Sequence, residues 1–225
     1  MKRRMNFRNK LLVLLVPLAI LTIAGLSVLF YQMSSNAVLT QQETAMGQLT
    51  QKTFEALNLW LQDRDIEIDF FAETGVYIAA FEGQRLEDAQ DRLNKTIKHA
   101  PYFENIFLAD SNGKIFMDAI GGKSVGVEIS KLPGFSVNID KALQGSKWMG
   151  DVMKSPATGR PVALVTAPVM KNGKIVGIVG TPMELNYFSD TFIKDAKIKK
   201  TGYLFLTDQT GKFLAHPDTT MIMNK

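Results

Sequence analysis

The residues able to do chemistry in this chain are few. Two histidines occur among its 225 residues, His99 and His216, and there is no cysteine. His99 stands beside Pro101 at the close of a helical stretch, with no second histidine or acidic pair at metal-ligand spacing, so it reads as a helix-end residue. The lack of cysteine excludes disulfides and thiolate metal sites. Phosphate-loop, paired metal-ligand and serine-elbow patterns are absent from the sequence. Asp110, Asp118, Asp151 and Glu184 fit turn, cap and surface roles more simply than acid–base catalysis. The expectation is a protein that is not an enzyme and carries no cofactor or metal.

Binding chemistry is better represented. Phe107 and Trp148 are candidate apolar walls, while Asn138, Asp151, Lys154, Ser155 and Thr166 are candidate groups for orienting a small ligand. Each has an ordinary alternative: core packing for Trp148, a surface position for Asp151, a solvated turn for Lys154 and Ser155, and a plain β-branched strand residue for Thr166.

The elements that must position these groups begin with an apolar segment. Leu11–Tyr31 is 21 residues without Asp, Glu, Lys or Arg. As a helix it spans about 31 Å, against about 30 Å for a hydrocarbon core. Lys2, Arg3, Arg4, Arg8 and Lys10 precede it, so a formal net charge of +4 for the whole chain leaves −1 for everything after this basic arm. That asymmetry puts residues 1–10 in the cytoplasm and the chain beyond about residue 32 in the periplasm or outside a bacterial cell. It also makes the basic pI a poor argument for a nucleic-acid partner. The segment is longer than a signal-peptide core and Ser34-Ser35-Asn36-Ala37 is a poor cleavage pattern, which favours a membrane anchor over a cleaved signal.

Residues 36–72 read as a long helix with Phe54, Leu57, Leu61 and Ile68 near one face, a stripe that either packs on the protein's own sheet or pairs with another subunit. Gly75 interrupts it, and Leu86–Lys98 forms another helix. The period then changes. Phe103–Ala109 and Lys114–Asp118 read as a hairpin about Asp110-Ser111-Asn112-Gly113, with Phe107 and Phe116 packing together and Asp110 as a turn cap. The Gly- and Pro-punctuated stretch 121–145, with a short helix at Asn138–Leu143, is expected to lie across one sheet face and close a small cavity. Trp148–Met153, Pro161–Met170 and Ile175–Met183 are strands, the last two joined by Asn172-Gly173. Pro168 argues for a bulge or an unpaired position, and Gly177 and Gly180 for tight packing or for pocket space. Glu184–Ala196 reads as a helix, Lys197–Lys200 as a solvated connector, and Thr201–Pro217 as a second hairpin of the same order as the first.

This order of elements resembles the double Cache (dCache, PAS-like) extracytoplasmic sensor of bacterial methyl-accepting chemotaxis proteins and related membrane receptors. The resemblance covers residues 1 to about 217. It rests on Phe107–Lys114, Ala142–Gly145, Ala157–Arg160, the Ala167-Pro168-Val169 strand with its Asn172-Gly173 turn, and Thr201–Leu206. It implies an α+β fold: a membrane helix at 11–31, a long stalk helix at 36–72, a membrane-distal Cache module with a central antiparallel sheet at 73–196, and the beginning of a membrane-proximal module at 201–225. It further implies binding of a small extracellular solute between the sheet and its cover, a homodimer, and input to transmembrane signalling of the chemotaxis type. Amino-acid-binding members carry an arginine and an aromatic residue before the short helix and an aspartate on the final strand. Here Ser136 and Asn138 stand at the first two positions and Pro182 at the third, removing the partners of an amino acid's carboxylate and ammonium. No return membrane helix or output domain follows, so the chain reads as an N-terminal fragment or truncated receptor whose cytoplasmic partners require further domains. The competing reading is a structural or protein-interaction ectodomain that binds no solute.

Overall fold

The computed structural model describes residues 6–198 and 201–224. Lys2, Arg3 and Arg4 of the basic arm, and Lys199 and Lys200 of the expected connector, lie outside the described residues. Two units are distinguished, residues 1–52 and 53–225. From Phe7 onward the first unit is part of α1 (Phe7–Ala72), which runs without interruption through Ser34 and Ser35. Every side chain from Leu11 to Tyr31 is exposed. A helix that is apolar all round and has no protein cover is built for lipid. Pro17 lies inside it, as membrane helices tolerate.

The second unit is organised on a five-stranded antiparallel sheet. Its strands are β1 (Phe107–Ala109), β2 (Ile115–Asp118), β3 (Trp148–Lys154), β4 (Pro161–Lys171) and β5 (Lys174–Glu184). They lie in the order β2-β1-β5-β4-β3, so β4 and β5 form the centre and β3 one edge. The central pair is a hairpin whose two turn residues, Asn172 and Gly173, have φ values of 50° and 76°. Those left-handed values match the twist of the flanking strands, which is why Asn-Gly signals this hairpin.

Both faces are covered. On one, Ile68 and Phe71 of α1, Tyr77 of α2 (Gly75–Ala80) and Leu93 of α3 (Leu86–His99) pack on Leu108, Val165, Val179 and Met183. On the other, Ile129, Phe135 and, from α4 (Ser136–Leu143), Ile139 pack on Phe107, Val162, Leu164 and Ile178. The Gly-rich stretch therefore does lie across a sheet face. Leu57, Leu61 and Ile68 point toward the protein's own core. Phe54 of the same expected stripe is 53% exposed.

Several expectations need correction. Phe107 and Phe116 do not pack together: Phe107 pairs across the ladder with Asp118 and faces α4, whereas Phe116 meets Phe81 edge to face on the opposite side. A register shift between Leu108 and Ala109 accompanies this arrangement. Gly177 and Gly180 make room for packing, since a β-carbon at Gly177 would strike the Phe81 ring and one at Gly180 the Phe107 ring. Pro168 is paired with Ile178, and the irregularity falls between Val169 and Met170. Pro168 lies beyond Thr166, where the β3 pairing ends and β4 has a partner on one flank only. The expected helix Glu184–Ala196 is a single turn, α5 (Leu185–Phe188), continued by a π-turn at Ser189–Ile193. Lys197 and Ile198 are not connector but strand β6, paired with β7 (Gly202–Tyr203).

The second hairpin, β8 (Leu206–Thr207) with β9 (Phe213–Ala215), repeats the first in its turn chemistry. Asp110 Oδ1 accepts from the amides of Asn112 and Lys114, and Asp208 Oδ1 accepts from those of Thr210 and Lys212. In both turns the aspartate carbonyl accepts from a glycine three residues on, Gly113 or Gly211.

Candidate ligand-binding site

A cavity lies between the sheet and its Gly-rich cover. Phe107, Val162, Leu164 and Pro182 form its floor, and Ser124, Val127, Ile129, Leu132 and Phe135 its roof. The β3–β4 turn closes one side with Ser155, Pro156 and Ala157, and Glu104 and Asn105 stand on the segment leading into β1. Its free volume is about 40 Å³, room for about two waters. A larger solute therefore requires the roof or the turn to move outward.

The polar groups of the roof are held by one buried carboxylate. Asp118 is fully buried; its Oδ1 accepts from the amides of Ile120 and Gly122, and its Oδ2 from the amide and hydroxyl of Ser124, at 2.7 to 3.1 Å. Burial works to raise its pKa, but these hydrogen bonds outweigh it and hold the carboxyl below the ordinary aspartate value. Asn105 donates to Ser124 Oγ at 2.9 Å and accepts from the Ala119 amide at 3.1 Å. Asn105 and Ser124 are thus committed to shaping the roof.

The residues singled out from sequence scatter over this unit. Phe107 and Ser155 line the cavity, and Ser155 Oγ also accepts from the amide of Ala157 at 3.2 Å. Asn138, on α4, and Thr166, on β4, are both fully buried and outside the lining. Asn138 Nδ2 donates to Leu164 O at 2.8 Å, the Thr166 hydroxyl donates to Asn138 O at 3.1 Å, and Asn138 Oδ1 has no hydrogen-bond partner among the described residues. Trp148 neither packs in the core nor reaches the cavity: it is 41% exposed on the edge strand, with the Lys141 ammonium 5.4 Å from its ring centroid. Asp151 lines a separate groove of about 730 Å³ beside Leu57, Trp60 and Asp208. Lys154 is exposed at the end of β3. An edge strand with a register shift between Met149 and Val152 turns these side chains away from the cavity.

Residues 34–224 match the Cache domain family. The chain belongs to that family. Its fold is shared by the ligand-binding domain of the Pseudomonas fluorescens chemoreceptor CtaA in complex with L-isoleucine, at 21% identity and a TM-score of 0.63, over 84% of this chain and 74% of that one. It is shared also by the ligand-binding domain of the Pseudomonas aeruginosa PAO1 amino acid chemoreceptor PctC in complex with GABA, at 17% identity and 0.60, over 81% and 79%. The sensor domain of the Vibrio cholerae histidine kinase DctB matches at 12% identity and 0.60, over 83% and 69%. No curated protein matches the sequence. The N-terminal apolar helix that precedes this Cache domain is long and apolar enough to cross a membrane.

Within the Cache cavity, the residue that sequence reasoning passed over is Glu104. It is 5% exposed, accepts a hydrogen bond from the Thr158 hydroxyl, and lines the cavity. Its one sequence signal is a charge inside the otherwise uncharged strand candidate Phe103–Ala109. Of the three positions set beside the amino-acid-binding pattern, Pro182 is in the lining, Ser136 directly follows the lining residue Phe135, and Asn138 is outside it.

Proposed function

We propose that this Cache domain senses a small extracellular solute, of the amino-acid size class, and passes the signal through its membrane helix in the manner of a chemotaxis receptor. The supporting observation is the cavity between the sheet and a hydrogen-bonded roof, in a domain tethered by an apolar helix. The solved relatives are themselves ligand-binding or sensor domains, two of them crystallised with an amino acid or GABA. Binding rather than catalysis is the reading that follows from them.

The organisation we assign is a cytoplasmic arm at 1–10, a membrane helix at 11–31, a stalk at 36–72, a membrane-distal module at 73–196 and the start of a membrane-proximal module at 201–225. The matched turns about Asp110 and Asp208 support two modules. We also assign a homodimer through the outer face of the stalk, where Leu59, Ile66 and Phe70 are 63%, 53% and 65% exposed on a helix whose other face is covered. Signalling would then be a shift between two helix arrangements, driven by unequal affinity of the solute for them. Cytoplasmic signalling partners enter only through further domains of the receptor.

Calorimetric titration of the full chain in lipid nanodiscs, against a panel of amino acids, amines, organic acids and purines, tests the reading. A saturable binder is expected. No binder across the panel overturns it in favour of a structural ectodomain.

A further inference from the structure

Among the described residues, Glu104 is the only ionisable side chain in the Cache cavity lining, and no lysine or arginine accompanies it there. The Arg160 guanidinium pairs with Glu184, its NH1 lying 2.8 Å from both oxygens, while its Nε is 3.5 Å from the Thr158 hydroxyl that donates to Glu104. Glu104 itself makes no salt bridge among the described residues, and its side-chain partner is a neutral hydroxyl. A buried carboxylate without a cation is costly, and the cost is relieved when a bound group brings the missing positive charge. The other lining side chains are apolar, or are hydroxyls and an amide already committed to the roof or the β3–β4 turn.

We propose that the cavity, if it is the solute site inferred above and once its roof or turn has moved outward to admit a solute, selects a small alkyl amine without a carboxylate, its ammonium paired to Glu104 and its hydrocarbon against Phe107, Leu132, Phe135 and Leu164. The same lining disfavours a free amino acid. An α-carboxylate entering there would meet the charge of Glu104 and no cationic partner, and such an unpaired buried charge acts against the zwitterion.

Three probes with one branched hydrocarbon skeleton separate these terms. Isopentylamine has the ammonium alone, L-leucine the ammonium and carboxylate, and 4-methylpentanoate the carboxylate alone. Each is titrated calorimetrically into the full chain in nanodiscs, for the wild type and Glu104→Gln, with Glu104→Asp as a second variant should the amide fail to fold as judged by circular dichroism. The expected result is saturable binding of isopentylamine, at least tenfold tighter than L-leucine, with the amine affinity lowered at least tenfold by Glu104→Gln or by the retracted carboxylate of Glu104→Asp. L-leucine or 4-methylpentanoate binding as tightly as the amine, or amine binding unchanged in the variant that folds, overturns the assignment while leaving solute sensing intact. Failure of all three probes also overturns it, and solute sensing then stands or falls on the wider panel.

Discussion

The ring of Phe107 occupies the space that a side chain at Gly180 would need. A β-carbon on Gly180 would lie 2.8 Å from Phe107 Cε1, well inside van der Waals contact. The two residues face each other across the β1–β5 ladder, and the ring also forms part of the cavity floor. Gly180→Ala must therefore displace the ring, and overpacking of this kind costs about 1–3 kcal/mol. Chemical denaturation should show that loss. Solute affinity should fall with it, because the displaced ring intrudes on the floor. Phe107→Leu in the same chain should restore part of the stability, a coupling measured by the double-mutant cycle.

Asp118 predicts acid sensitivity. Its hydrogen bonds hold the folded-state pKa below the ordinary aspartate value. The stabilisation is therefore fully present above the unfolded-state pKa of about 3.9, and it is lost as pH falls through the folded-state value. Asp118→Asn should remove this acid dependence and also destabilise the fold at neutral pH. An amide has one acceptor oxygen, so its NH2 must face either the Ile120 and Gly122 amides or the Ser124 amide. Leaving such donors unsatisfied costs about 1–3 kcal/mol. Melting curves of both proteins between neutral and acid pH check the two effects together. If Asp118→Asn is as stable as the wild type at neutral pH, the roof is not organised by this carboxylate.

Much of the fold is legible in sequence because its signals are local. Asp110 and Asp208 each close a turn with amides two and four residues away, and Asn172-Gly173 supplies the two left-handed residues of the central hairpin. The site is less legible because burial depends on distant partners. Phe107 reaches the cavity because Gly180, on another strand, makes room for it. Glu104 is buried because its amide donates to Pro182 O and its carboxylate meets Thr158, neither of which is near in sequence. Trp148, Asp151 and Lys154 have residue types that suit a pocket, but their strand is the sheet edge.

The packing of the stalk on its own domain predicts alkaline sensitivity. The Tyr102 hydroxyl donates to Glu67, 3.0 Å from each oxygen, with the Arg64 guanidinium 4.0 Å from the ring centroid. Burial, then the neighbouring Glu67 charge, push the Tyr102 pKa up to about 12. Lys147, held 2.8 and 2.7 Å from Asp65 and Asp69, is also raised: burial opposes its charge, and the two aspartates outweigh it. Groups raised on folding stabilise fully below their unfolded-state values, and that contribution is lost as pH rises through the folded-state ones. Stability should thus decline above about pH 10. Tyr102→Phe should cost about 0.5–1.5 kcal/mol at neutral pH. It should also delete a late component from the ultraviolet phenolate titration, and an unchanged titration would show that Tyr102 does not interact with Glu67 in solution.

The two faces of the stalk predict different crosslinking behaviour. Leu61 and Ile68 pack on the protein's own core, whereas Leu59, Ile66 and Phe70 are exposed, with spacings of seven and four that keep them on one side of the helix. The natural chain has no cysteine, so any introduced thiol is the only one present. In a symmetric pair of parallel stalks, equivalent residues near the axis meet, and a disulfide needs Cα atoms within about 7 Å. Ile66→Cys in membranes should therefore give an oxidant-dependent covalent dimer, while Ile68→Cys should remain monomeric under the same conditions. Replacing Leu59 and Phe70 by Ser in the Ile66→Cys chain removes apolar surface without touching the core, and should reduce dimer yield without lowering the melting temperature. Equal crosslinking from Ile66→Cys and Ile68→Cys would mean that collision, not a defined interface, brings the helices together, and the homodimer would have to be built on another surface.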